Sequence, residues 1–274
     1  MTTTAYKTVQ AADDPALTNR IVTKALAEPT PYVDDSTRKL RPLPVTIVRL
    51  PGGFRTERGY VYDVEVRELT GEDEEALAKA TTVPRALMTI LARATVAIGD
   101  VPVTPAALDD MLAGDREMVL LQIRKATYGV TEEYMLHCIA CSTDQKATVN
   151  LDTDIKVRTL ANPDDRDWEM TLRCGVVHLS LPDGAAQRKV ASAGEKTIPE
   201  LNTLLLSECI QQINDDPPLG MGTARSLGLA DRTAIIEEIA RRQPGPELGE
   251  VTKPCESCGA DIKISLDLAR LFRL

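Results

Sequence analysis

Cys138-Ile-Ala-Cys141 and Cys255-Glu-Ser-Cys258 are two Cys-x-x-Cys stretches, with Cys141 and Cys255 114 residues apart. That spacing sets two thiolates on the inside of one tight turn, where both sulfurs reach a single tetrahedral ion at ~2.3 Å. Two such turns make a four-thiolate site. The match continues beyond the second cysteine of each pair, through Asp144 and Asp261, Lys146 and Lys263, Val149 and Leu266, and Leu151 and Leu268. The chain therefore reads as two copies of one knuckle-plus-strand unit. A separation this long is far outside a compact finger, so everything between the pairs must be a domain that brings the chain back to its start.

Thiolate-only ligation with no open position is the composition of a structural zinc site, whereas catalytic zinc keeps a water and mixes in His or carboxylate. The reading is one structural zinc on Cys138, Cys141, Cys255 and Cys258. The competing readings are a redox Cys-x-x-Cys, a disulfide pair, or coincidence. A thioredoxin-like motif requires a βαβ frame, and neither copy shows one. His137, directly before Cys138, is an alternative ligand. Cys174 and Cys209 lie singly in apolar periodic segments and read as core residues.

The chain has 274 residues, 43% hydrophobic and 27% charged, the balance of an ordinary globular protein with one or two cores. Aromatic content of 3% leaves few rings for stacking bases, and a net charge of −9 repels phosphate backbones and anionic lipid. A nucleic-acid or membrane role is therefore not expected. The first 28 residues have no apolar signal core, and no stretch approaches a membrane span. With only two histidines, His137 and His178, a Ser-His-Asp or Cys-His system has weak support. Gly220-Met221-Gly222 matches neither a dinucleotide fingerprint nor a P-loop and reads as a flexible loop.

The expected fold class is α+β: a small β-hairpin plus helices, a zinc-ribbon-like pair of knuckles, a β arm and C-terminal helices. Residues 1–44 read as a flexible tail with a helical run from Pro15 to Ala27. Residues 45–130 read as an α+β domain, with a strand from Val45 to Leu50, a turn at Pro51-Gly52-Gly53, and an alternating strand from Tyr60 to Leu69. Thr70-Gly71-Glu72-Asp73 is a capping signal with a solvated acidic start. A helix opens at Pro84 and runs to Ile98. Another opens at Pro105, is interrupted at Gly114, recapped by Asp115, and stopped at Tyr128-Gly129.

Residues 131–198 carry the first knuckle and a β-hairpin arm. There Ile155 to Leu160 and Trp168 to Leu181 read as strands, and the slip of the apolar face at Gly175 reads as a β-bulge. Residues 199–274 form a helical region ending in the second knuckle. One helix follows Thr197-Ile198-Pro199-Glu200 as far as Ile213, and another is capped by Asp231.

Two further segments carry a resemblance. Leu50-Pro51-Gly52-Gly53 leads into Val64-Glu65-Val66-Arg67-Glu68-Leu69-Thr70. Asp115-Arg116, Leu120-Leu121-Gln122-Ile123-Arg124 and Tyr128-Gly129 then lead into a Cys-x-x-Cys. In order and spacing, over residues 45–152, these resemble the T-even phage-type baseplate hub assembly chaperones, with relatives in contractile phages and phage-tail-like contractile injection systems. The first knuckle departs from the family's Cys-Pro-x-Cys-Gly form, while Pro254 and Cys258-Gly259 fit it better. The resemblance implies a non-enzymatic assembly chaperone or baseplate component whose partners are baseplate hub, spike or tape-measure proteins. It implies action in the bacterial cytoplasm during assembly and leaves retention in the finished particle open. The alternatives are a nucleic-acid-binding zinc-ribbon protein and an enzyme with an unrecognised site.

Overall fold

Strand β1 (Val45–Thr56) of the computed structural model runs straight through Pro51-Gly52-Gly53 and pairs antiparallel with β2 (Gly59–Arg67). The residues described are 42–217 and 220–274; the tail expected over 1–44, with its helical run, lies outside them except for 42–44. The expected turn at Pro51-Gly52-Gly53 is instead a bulge, marked by the register shift between Arg49 and Phe54, and the chain reverses at Glu57-Arg58. The glycines serve a close approach. A Cβ on Gly52 would lie 2.6 Å from Leu112 Cδ1, and Gly53 has φ +80.

Thr70 caps α1 (Gly71–Leu77) in a capping box with Asp73. Asp73 is buried rather than solvated, and its carboxylate accepts from Arg67 and Arg93, each at 2.6 Å. Burial pushes its acidity the other way, but hydrogen bonds from Arg67, Thr70 and Arg93 hold it well below the usual carboxylate range. Helix α2 (Val83–Ala94) stops short of the expected Ile98, because Thr95–Ile98 forms β3 on the free edge of β2. Its β-branched Thr95, Val96 and Ile98 suit a strand better than a helix.

The next helix is broken at Met111-Leu112, giving α3 (Pro105–Asp110) and α4 (Ala113–Tyr128). Neither Gly114 nor Asp115 makes the break. Gly114 lies in the first turn of α4, where a Cβ would run into the Pro244 carbonyl. Asp115 caps nothing in its own helix; it is fully buried and accepts the Gly52 N–H at 2.6 Å. Burial pushes its carboxyl up to about 6, against that hydrogen bond and the nearby Arg166. Residues of α4 are buried on several faces. Leu120 and Ile123 pack with the β1–β2 sheet and α2, while Leu121 packs with the knuckle hairpins.

The first hairpin, β4 (Thr131–His137) and β5 (Asp144–Asn150), follows directly. Of the strand expected over 155–160 only β6 (Val157–Arg158) forms, and a 3-10 turn at Pro163–Arg166 leads on. The long bulged strand is instead a hairpin, β7 (Asp167–Leu172) and β8 (Gly175–Ser180), reversing at Arg173-Cys174. A glycine with φ +123 beside a change of apolar face marks a reversal here, not a bulge. Nor is the hairpin a free arm, since Trp168, Val177 and Leu179 are buried in a helical core.

Helix α5 (Gly184–Ala191) and α6 (Ile198–Cys209) come next, and α6 ends before the expected Ile213. Ile210–Ile213 becomes β9 and pairs with β8. Gly220-Met221-Gly222 is not a loop: Gly220 is the N-cap of α7 (Met221–Ser226). Helix α8 (Leu229–Arg242) is capped by Gly228 instead of Asp231. The buried Asp231 carboxylate accepts the backbone N–H of Arg173 and Cys174, and so holds the β7–β8 turn.

The short β10 (Gly245–Pro246) pairs with β6. The second hairpin, β11 (Glu250–Pro254) and β12 (Asp261–Ser265), is followed by α9 (Leu268–Phe272). The mixture of helices and small sheets is the expected α+β class. Core clusters run across residues 130 and 198: Leu121 shares one with Tyr134 and Val149, and Val177 shares another with Leu206.

Candidate metal centre

The two knuckles are the same turn built twice. In the first, the Cys138 N–H donates to the Thr143 carbonyl at 3.0 Å and the Ser142 N–H to the Cys138 carbonyl at 2.8 Å. In the second, Cys255 N–H to Ala260 carbonyl and Gly259 N–H to Cys255 carbonyl are both 2.8 Å. Ser142 (φ +56) and Gly259 (φ +74) both occupy the left-handed region that lets the chain close around the sulfurs. The flanking strands keep one register: Met135 opposes Lys146 as Thr252 opposes Lys263, and His137 opposes Asp144 as Pro254 opposes Asp261. The paired apolar positions are buried in both copies, Val149 with Leu266 and Leu151 with Leu268.

This repeated geometry brings the four sulfurs into one group. Sγ of Cys138 lies 3.7 Å from Cys258, and Sγ of Cys141 lies 3.6 Å from Cys255, each contact crossing between knuckles. All four lie within 4.8 Å of one another. A tetrahedron with ~2.3 Å metal–sulfur bonds has edges of ~3.8 Å, whereas a disulfide is ~2.05 Å. The spacing suits four ligands around a common centre and is too long for disulfides; all six cysteines are free. The four thiols could hold a metal ion, and with no imidazole or carboxylate in the group the donor set fits a soft or borderline cation held structurally.

The acid–base behaviour of the thiols follows from their crowding. Hydrogen bonding with the Thr143 side chain and backbone brings Cys141 down to about 6, helped by Cys258. Cys258 is pushed up to about 12: the Ala260 backbone favours its thiolate, but the thiols of Cys141, Cys138 and Cys255, with desolvation, outweigh that. Sulfurs this close cannot all ionise without a cation between them. Cys138 and Cys255 are buried, while Cys258 is exposed.

The remaining sequence candidates fall elsewhere. His137 is exposed, with its ring nitrogen 2.7 Å from Asp144 Oδ1, and is outside the sulfur group. Cys209, the last residue of α6, is buried, and burial pushes its thiol up to about 12. Cys174 is half-buried, its thiol raised by burial and by Asp231.

Sequence reasoning missed Gln145. Its side chain donates to the Pro254 carbonyl at 3.3 Å and accepts the Glu256 N–H at 2.9 Å, bridging one knuckle to the other. The signal was a break in the repeat, because Gln145 stands where the second copy has Ile262. Arg124 was also missed. It is buried in α4, donates to the Leu271 carbonyl at 2.8 Å and the Gly129 carbonyl at 2.8 Å, and pairs with Glu132. Lys253 adds a tie to Asp154 at 2.6 Å. Both hairpins also contribute to one apolar cluster with Leu121 of α4 and Leu271 of α9.

Fold and site together define an α+β protein whose two distant hairpins share a four-thiol centre. The family described as T4 bacteriophage base plate protein matches residues 46–243, and the chain belongs to that family. The match extends past the 45–152 of the initial resemblance, through the helical region to the end of α8, and stops ahead of the second cysteine pair. No curated protein and no solved structure matches the chain. Among the described residues no helix is long and apolar enough to cross a membrane.

Proposed function

We propose that the chain is a non-enzymatic hub assembly chaperone or baseplate component of a contractile phage tail or contractile injection system, stabilised by one zinc on Cys138, Cys141, Cys255 and Cys258. The family match over 46–243 is the observation that carries this reading. The zinc rests on the donor set and on the tetrahedral sulfur spacing. The partners are hub, spike or tape-measure proteins, met in the bacterial cytoplasm while the baseplate forms. The net charge of −9 disfavours the nucleic-acid alternative, which requires submicromolar binding at physiological salt in a gel shift.

Co-expression with the hub, spike and tape-measure proteins of its own tail cluster tests the role. Hub assemblies that form only when the chain is present, and a chain–hub complex, are the expected result. Hub assembly that proceeds unchanged without the chain, with no complex, overturns it. Mass spectrometry of purified particles then separates a chaperone, which leaves, from a component, which stays.

A further inference from the structure

Strand β1 forms one edge of a three-stranded sheet and pairs with β2 alone. The Asp63 carbonyl accepts the Gly99 N–H at 3.0 Å on the β3 side of β2, so Arg49, opposite Asp63, turns its own N–H and C=O away from β2. Ile47 and Val45 alternate into the same outward row. Nothing among the described residues bonds to that row. It ends at Pro51, whose carbonyl takes the Leu160 N–H at 3.0 Å. Val45 is 46% exposed and Ile47 65%, so two β-branched side chains stand on the solvent face of an open edge. Other edge strands are guarded by exposed charge: Glu133 on β4, Glu169 on β7, Glu250 on β11 and Lys263 on β12. On the open stretch of β1 the one charge is Arg49, which lies over the Tyr62 ring and has no ion-pair partner among the described residues.

We propose that this edge accepts an antiparallel strand from a partner protein, with β-branched residues against Val45 and Ile47 and a carboxylate against Arg49. The outward N–H and C=O groups of Val45, Ile47 and Arg49 supply the ladder, and the cross-strand pairs supply the selectivity. A second copy of the chain fits less well. Two β1 strands paired about Ile47 set each Arg49 against the copy's Val45 and leave both guanidiniums without a carboxylate. The chain's own preceding residues are also poorly placed, because Pro42 and Pro44 hold Leu43 extended and the chain enters β1 in line instead of through a tight turn. The proposal rests on the assembly-protein reading only for which partner supplies the strand.

The test is amide hydrogen exchange of the full chain by NMR, alone and with the peptide Ac-Ser-Glu-Thr-Val-Thr-Val-Ser-amide, which sets Glu against Arg49 and Val against Ile47 and Val45. In the free chain Ile47 and Arg49 should exchange readily, while Thr46 and Val48, turned towards β2, are protected. With about 1 mM peptide, exchange at Ile47 and Arg49 should slow at least about twofold and leave Thr46 and Val48 unchanged, the alternation of an added strand. A peptide with Pro in place of the Val that faces Ile47 should have no effect. Arg49→Glu should weaken binding about threefold, and a peptide with Lys in place of Glu should restore it; a restored affinity also shows that the variant folds. No slowing, slowing that the Pro peptide reproduces, or no rescue by the charge exchange overturns the proposal. So does protection of Ile47 and Arg49 in the free chain: if it rises with protein concentration a second copy covers the edge, and if it is lost on removing residues 1–41 the chain's own segment does. If the peptide binds as expected while hub assembly is independent of the chain, the edge stands and the assembly reading falls; the opposite pair of results does the reverse.

Discussion

Ser142 in the first knuckle and Gly259 in the second hold the same left-handed backbone position, yet only one is a glycine. The same contrast recurs around the turn. Gln145 in the first hairpin answers Ile262 in the second, and the fully solvated Ile139 at one tip answers Glu256 at the other. Backbone turn, strand register, cysteines and the Asp, Lys and apolar positions that follow them agree between copies, while the side chains at these three places do not. What is shared is what a tetrahedral centre requires of each half, and what differs is how each half meets its neighbours. The first hairpin supplies the side chain that bridges to the second, and the second continues into α9, whose Leu271 carbonyl is held by Arg124.

The largest effect should come from breaking the shared part. Cys138→Ser and Cys255→Ser remove equivalent buried thiols of the proposed zinc site and should lower the melting temperature alike, by ~10 °C or more, since structural zinc contributes an apparent ~10–16 kcal/mol in small domains. Thermal unfolding checks this. Very different losses for the two would break the equivalence of the knuckles. Cys209→Ser, equally buried but outside the sulfur group, is the control and should cost about 1–2 kcal/mol.

Gln145→Ala comes next. It leaves the Glu256 N–H and the Pro254 carbonyl without their bridge and should cost about 1–3 kcal/mol by denaturant titration, whereas Ile262→Ala, half-buried, should cost about 1 kcal/mol. Equal costs would mean that the bridge contributes nothing beyond packing.

Exchanging the turn residues sharpens the comparison further. Ser142→Gly should stabilise by up to ~1 kcal/mol and Gly259→Ala should destabilise by about as much, because only the backbone conformation is at stake. Nothing lies within 4 Å of a Cβ built at Gly259, so no clash contributes. The smallest effect is expected for His137→Ala. It removes an exposed contact with Asp144 and should change stability by less than ~0.5 kcal/mol and leave metal content intact.

The knuckles were legible because ligand spacing and strand alternation point the same way in both copies, so a period-2 pattern followed each cysteine pair into buried Val149 and Leu266. The Thr70 and Thr197 capping boxes were legible for the same local reason. Legibility failed where a glycine had two meanings. At Pro51-Gly52-Gly53, Gly52 permits Leu112 and Asp115 to approach a continuous strand, and at Gly175 the positive φ closes a hairpin. It also failed where charge is buried. Asp73, Asp115 and Asp231 read as solvated or as caps of their own helices, but each carboxylate meets residues distant in sequence, and no local pattern encodes such a partner. Gln145 was hidden likewise, apart from its mismatch with Ile262.

The central claim is that cysteines from two distant hairpins share one structural zinc. Elemental analysis of the purified chain, normalised to protein concentration, tests it most directly. The account predicts one zinc per chain; a zinc content below half an equivalent would contradict it.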